Sequence, residues 1–248
     1  MDQKFKNAFV EKWMKYFGDS ELPIAFFYTK TPGGEVTLAN LPKDHSCVAC
    51  ELNLVRKGRP QAWNVNSLSC GGARRYFGYT EEMRPDFEYF LSYGIPGKME
   101  GERYVKTPGM VKEIMANFKC IPAKDRYIVF KRFDQLTPGD DPIAVIFFAK
   151  PDVLSGLFTL ANYDQVDGNG VISPFGSGCA SMVYHPYFEN EKEHPKAILG
   201  LFDVSARPCV PKDCLTFSIP IKKFEKMVDY MDESFLITDS WKNVKKRL

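Results

Sequence analysis

The chain has 248 residues, with 33 Lys+Arg against 31 Asp+Glu and a formal net charge of +2. Its 44% hydrophobic and 26% charged content is ordinary globular usage, which excludes disorder, collagen and a coiled coil. The small charge lacks the basic excess of a dedicated nucleic-acid binder, and no apolar run approaches the roughly 18 residues of a membrane span.

Phe5, Phe9, Trp13 and Phe17 recur every four residues between lysines, which predicts an amphipathic helix stopped at Gly18. Ile24 to Tyr28 follows Pro23 and reads as a buried strand, and Thr31-Pro32-Gly33-Gly34 as a turn. Ser46 to Arg56 reads as a short helix with Ser46 as its N-cap and Gly58 beyond its end. Leu68 to Tyr79 is rich in small residues. Pro108 to Phe118 has Thr107 to cap it and Pro in its first turn. Tyr127 to Phe130 and Ile143 to Ala149 read as strands around the loop at Thr137 to Asp141. A helical pattern follows from Val153 to Tyr163. Leu199 to Val204 and Leu215 to Ile219 read as strands, and Ile221 to Tyr230 as an amphipathic helix.

This order predicts one compact α/β (α+β) domain over residues 1–248 with a mixed sheet. It also hints at two diverged half-repeats, near 20–120 and 127–235. Pro23-Ile24-Ala25 echoes Pro142-Ile143-Ala144, and Ser69-Cys70-Gly71-Gly72-Ala73 echoes Gly178-Cys179-Ala180-Ser181. Each cysteine element precedes an aromatic cluster, a later arginine (Arg103 or Arg207) and a helix opened by proline.

The seven cysteines are Cys47, Cys50, Cys70, Cys120, Cys179, Cys209 and Cys214. An odd number cannot pair completely. Asp2, Lys4, Lys6, Glu11 and Lys12 also interrupt any apolar leader. Reduced thiols in a cytoplasm are therefore expected, with no structural disulfide.

Across most of its length the chain resembles domain-of-unknown-function family 169. The resemblance is carried by Pro23-Ile24-Ala25, Cys47 and the short helix ending at Gly58, and Ser69-Cys70-Gly71-Gly72-Ala73 with Gly78. It continues through Pro142-Ile143-Ala144, Pro151-Asp152-Val153, Gly178-Cys179-Ala180 and Arg207. It implies a single intracellular domain of prokaryotic type and brings no mechanism. Cys50, Cys209 and Cys214 stand outside that pattern.

Several chemistries are open to these residues. Cys47-Val48-Ala49-Cys50 is a CxxC, a spacing that suits a redox pair or half a zinc site. Cys47, Cys70 and Cys179 suit a thiol-lined pocket, an iron–sulfur or other metal site, or plain buried filler. Gly71 and Gly72 allow backbone amides to approach a ligand, and Arg74, Arg75 or Arg207 can fork onto an anionic group. A Cys179/His185 dyad is a further arrangement. The P-loop, HExxH, Gly-x-Ser-x-Gly, EF-hand and dinucleotide fingerprints are absent. The leading expectation is a cytoplasmic protein that binds a small anionic ligand between its halves through Cys47, Cys70, Gly71, Gly72, Arg74, Arg75, Cys179 and Arg207. The alternatives are a metal or iron–sulfur protein using the same cysteines and a non-catalytic assembly or regulatory partner. The sequence names no cofactor and no reaction, and leaves enzyme activity open. It gives no sign of a nucleic-acid or membrane partner.

Overall fold

The computed structural model describes residues 1–248. Helix α1 (Gln3–Phe17) opens at Asp2, whose carboxylate accepts from the Lys4 amide at 2.8 Å, and ends at Gly18 with φ 61°. Glycine carries this positive φ at no steric cost. Phe9, Trp13, Tyr16 and Phe17 form its buried stripe, and Trp13 stacks on Phe17 with ring centroids 4.2 Å apart.

Eight strands build one mixed sheet: β1 (Ile24–Thr29), β2 (Thr37–Leu38), β3 (Gln61–Trp63), β4 (Tyr127–Arg132), β5 (Ala144–Ala149), β6 (Val171–Ile172), β7 (Ala197–Gly200) and β8 (Leu215–Pro220). Their order is β2-β3-β4-β1-β5-β8-β7-β6. The first and last four strands follow the same plan. β1 pairs antiparallel with β4, β4 antiparallel with β3, and β3 parallel with β2. β5 pairs antiparallel with β8, β8 antiparallel with β7, and β7 parallel with β6. The two sets meet where β1 and β5 run antiparallel, with Ala25 opposite Val145. Tyr127 to Arg132, which the sequence places at the start of the second half, belongs by pairing to the first set.

Helices cover both faces. On one side α1, α6 (Pro151–Ala161), α8 (Ile221–Tyr230) and α9 (Asp239–Lys245) bury Phe9, Trp13, Leu157, Phe224 and Trp241 against Ala25, Phe27, Val145 and Phe147. On the other, α2 (Val48–Arg56), α3 (Gly71–Tyr76) and the helix over residues 178–190 cover Ile24, Phe26, Ile146 and Phe148. That last helix opens with a wide π turn (Ala180–Tyr184) and continues as α7 (His185–Asn190). A sheet buried on both faces explains why β5 reads as an unbroken apolar run. The short helices α4 (Phe87–Phe90) and α5 (Pro108–Ala116) lie between α3 and β4.

Two expected boundaries move. The Ser46 amide is held by Ser69 Oγ at 2.9 Å, and Cys47 is the N-cap of α2. Leu199 to Val204 is a strand only to Gly200, because Leu201 takes φ 69° and turns the chain out of the sheet.

Lys131 on β4 is buried, with its side chain 2% exposed. Its ammonium meets Asp140 at 2.9 Å and Glu35 at 2.7 Å. Burial works against its charge, and the two carboxylates outweigh burial and hold its pKa above the ordinary value. Asp140 also accepts from the Thr137 amide and hydroxyl, so losing the lysine strands a buried carboxylate. We expect Lys131→Ala to cost about 3 kcal/mol in urea denaturation. Glu35→Gln, at an exposed carboxylate, should cost less than about 1 kcal/mol.

Candidate functional site

The two parallel strand pairs position the site. Each is bridged by a helix, β2-α2-β3 in the first set and β6-helix-β7 in the second, and both helices lie on the same face. Cys47 stands directly before the first helix, and Cys179 is the second residue of the other. After β3, Cys70 caps α3, its sulfur accepting from the Ala73 amide three residues on at 3.5 Å. After β7, Asp203 caps the following turn in the same way, its Oδ1 accepting from the Ala206 amide at 2.8 Å. By topology, then, Cys179 corresponds to Cys47, and Cys70 to Asp203. The sequence echo instead matches Cys70 to Cys179.

These residues share one electrostatic neighbourhood. Burial pushes the Cys179 thiol well up, and Cys70, Cys47 and Asp203 push in the same direction. Burial also raises Cys47, opposed by the amides of Ala49 and Cys50 and assisted by Cys70 and Asp203. Tyr76 is raised by burial and then by Cys179, with Ser177 pulling the other way. Ser69 links the two cysteine elements by accepting from the Ser46 amide and donating to the Ser46 carbonyl at 3.4 Å. Cys47 and Cys179 are therefore neutral thiols at neutral pH.

Asp203, which sequence reasoning missed, is 2% exposed. Its Oδ1 accepts from Ser205 and Ala206, and its Oδ2 is buried with no hydrogen-bond partner. That carboxylate lies beside Gly178, where an added Cβ would stand 3.6 Å from Oδ2. Gly71 and Gly72 are exposed, and a Cβ at Gly71 would meet nothing within 4 Å. Neither needs a positive φ. Tyr104 reaches the rim from the segment before α5, accepting from the Ser205 amide at 3.1 Å with its ring against Phe175.

Arg74, Arg75 and Arg207 each donate to a backbone carbonyl of the chain, and the Nε of Arg75 is buried without a partner. Arg74 Nε donates to the Leu68 carbonyl at 2.6 Å. Arg75 donates to the Glu81 carbonyl and lies over the Phe118 ring at 4.3 Å. Arg207 closes its own loop by donating to the carbonyls of Cys214 and Lys212. Burial holds the His185 imidazole below its ordinary pKa, with Glu189 opposing and Lys192 assisting. No group of three or more His, Cys, Asp and Glu side chains is placed to hold a metal ion. A surface groove of about 360 Å³ beside Lys30, Gly33 and Arg126 touches none of these cysteines.

One expectation is overturned outright. Cys50 and Cys209 form a disulfide across 159 residues, which leaves Cys47, Cys70, Cys120, Cys179 and Cys214 free. The odd count forbids only complete pairing. The fold brings α2 against the turn at Arg207–Cys209, where Asn53 also donates to the Cys209 carbonyl at 3.0 Å.

The model of domain-of-unknown-function family 169, described as "Uncharacterised ArCR", matches residues 14–230, and the chain belongs to this family. No curated protein and no solved structure is significantly similar to it. No helix is long and apolar enough to cross a membrane.

Two outcomes follow from the cysteines. Thiol titration of denatured, unreduced protein should find five free thiols, rising to seven after reduction. Cys179 and Cys47 ionise later in the folded chain than in the unfolded one. The unfolded chain therefore loses protons first as pH rises past the ordinary cysteine value of 9.0, and stability should fall there. Cys179→Ser should flatten that decline in a denaturation series run from neutral to alkaline pH.

Proposed function

We propose that this protein binds a small polar ligand where the starts of α2, α3 and the helix over residues 178–190 come together. The observation that carries this reading is the partnerless Oδ2 of Asp203. A buried carboxylate oxygen without a donor costs about 1–3 kcal/mol or more. A ligand N–H or O–H donor beside Gly178 would offset that cost. The amides of Val48, Ala49, Gly178 and Cys179 have no carbonyl acceptor in the chain, and helix starts favour negative charge. The ligand class is therefore a small molecule carrying both an anionic oxygen group and a hydrogen-bond donor, such as an amino acid or a related zwitterion.

In this reading Cys47, Cys70 and Cys179 are walls of the site, Cys47 and Cys179 as neutral thiols. The anionic group meets backbone amides, and the guanidinium groups of Arg74, Arg75 and Arg207 each also serve a backbone carbonyl. Glycine in the first turn of a helix lowers its stability relative to alanine, and neither clash nor φ explains Gly71 or Gly72. Space for a ligand does. The same reading takes the two four-strand sets as half-repeats that meet in the loop between β4 and β5.

A thermal-shift panel of amino acids, hydroxy acids and small phosphates tests the proposal. Saturation at 100 times Kd adds about 2.7 kcal/mol, which for a chain of this size is a rise of roughly 5–10 °C. Asp203→Asn and Gly72→Val should each abolish the rise shown by the best compound. A panel without any stabilising compound, or a rise unchanged in both variants, would remove the site.

A further inference from the structure

Cys47 and Cys50 occupy the N-cap and third positions of α2. The Cys47 side chain makes no capping hydrogen bond to the helix, and N-cap and third helical positions lie within one turn of each other. The free Cys47 therefore stands one helical turn from Cys50, the first half of the Cys50–Cys209 bridge. Cys50 is exposed at the surface, while Cys209 is buried beneath it. A free thiol, a neighbouring disulfide and an open approach to the shared sulfur are the parts that thiol–disulfide exchange requires.

We propose that Cys47, Cys50 and Cys209 form a thiol–disulfide exchange site in which the bridge moves between Cys50–Cys209 and Cys47–Cys50. Cys47 releases its proton to solvent and attacks Cys50 Sγ. The Cys47–Cys50 bond forms as the Cys50–Cys209 bond breaks. The electron pair leaves on Cys209, which takes a proton from solvent, so this step involves no net oxidation. A small dithiol can then reduce the exposed Cys47–Cys50 bridge, itself becoming a cyclic disulfide as two thiols form. The exchange unties α2 from the turn at Arg207–Cys209, four residues beyond Asp203. Burial holds the Cys47 thiol above its ordinary pKa, so the exchange accelerates as pH rises.

The inference does not depend on the ligand reading, and its test uses no ligand. The full chain is equilibrated in graded mixtures of reduced and oxidised dithiothreitol, quenched in acid, alkylated and digested with trypsin. Cys47 and Cys50 share the peptide Asp44–Arg56, while Cys209 lies on Ala197–Lys212 because trypsin does not cut Arg207–Pro208. At intermediate ratios, Asp44–Arg56 should appear internally bridged, two hydrogens lighter and unalkylated, while Cys209 carries the alkyl group. That species should accumulate faster at higher pH and be absent from Cys47→Ser. Cys209→Ser should hold the Cys47–Cys50 bridge outright. Passage of the wild type from the Cys50–Cys209 bridge to full reduction without the bridged peptide at any ratio would overturn the proposal. So would persistence of both Cys47 and Cys50 as thiols in oxidised Cys209→Ser. The wild-type series decides the matter by itself if that variant does not fold.

Discussion

The antiparallel pairing of Ile24, Ala25 and Phe26 with Ile146, Val145 and Ala144 is the joint on which the molecule depends. It is the sole strand contact between the two four-strand sets. One side of it carries Ala25 and Val145 into the layer of α1, α6, α8 and α9, and the other carries Ile24, Phe26 and Ile146 into the layer of α2. Because side chains alternate along a strand, a slip of one residue here would exchange the two cores. The joint also sets how the parallel strand–helix–strand units face each other, and so where Cys47, Cys70, Cys179 and Asp203 stand.

That alternation shows where the sequence misleads. The echo of Pro23-Ile24-Ala25 in Pro142-Ile143-Ala144 aligns Ala25 with Ala144, yet these two face opposite layers. Strand order and sense align Ala25 with Val145, one position later. The strong elements were legible by plain signals: α1 by its aromatic stripe, β5 by its apolar run, β8 by its alternation of Leu, Phe and Ile with Thr and Ser, and α5 by Thr107 and Pro108. Strands β2, β3 and β6 have two or three residues each, too few to show a period. The helix over residues 178–190 was hidden by Pro186, which reads as a breaker. The wide turn at Ala180–Tyr184 comes immediately before it, where the missing amide would otherwise interrupt a regular helix.

The residues of the candidate site were legible only in part. Cys70 and Cys179 stand out by their Gly/Ala-rich contexts and Cys47 by its place at the start of a short helix, and in the fold the three act on one another electrostatically. Asp203 carried no such mark. It sits between exposed Phe202 and Val204, two residues beyond the positive φ of Leu201. The arginines were visible as charges, but their partners are carbonyls supplied by their own turns, which no spacing announces. The Cys50–Cys209 bridge is likewise a property of two elements that meet only after folding.

The sheet ends at both sides in strands of two residues, Thr37–Leu38 and Val171–Ile172. An eight-stranded sheet with long free margins would template the strands of other chains and grow into fibres. Here an incoming strand finds too few free backbone groups to hold its register. Edge strands this short are one of the ways in which natural sheets discourage edge-to-edge pairing with other chains.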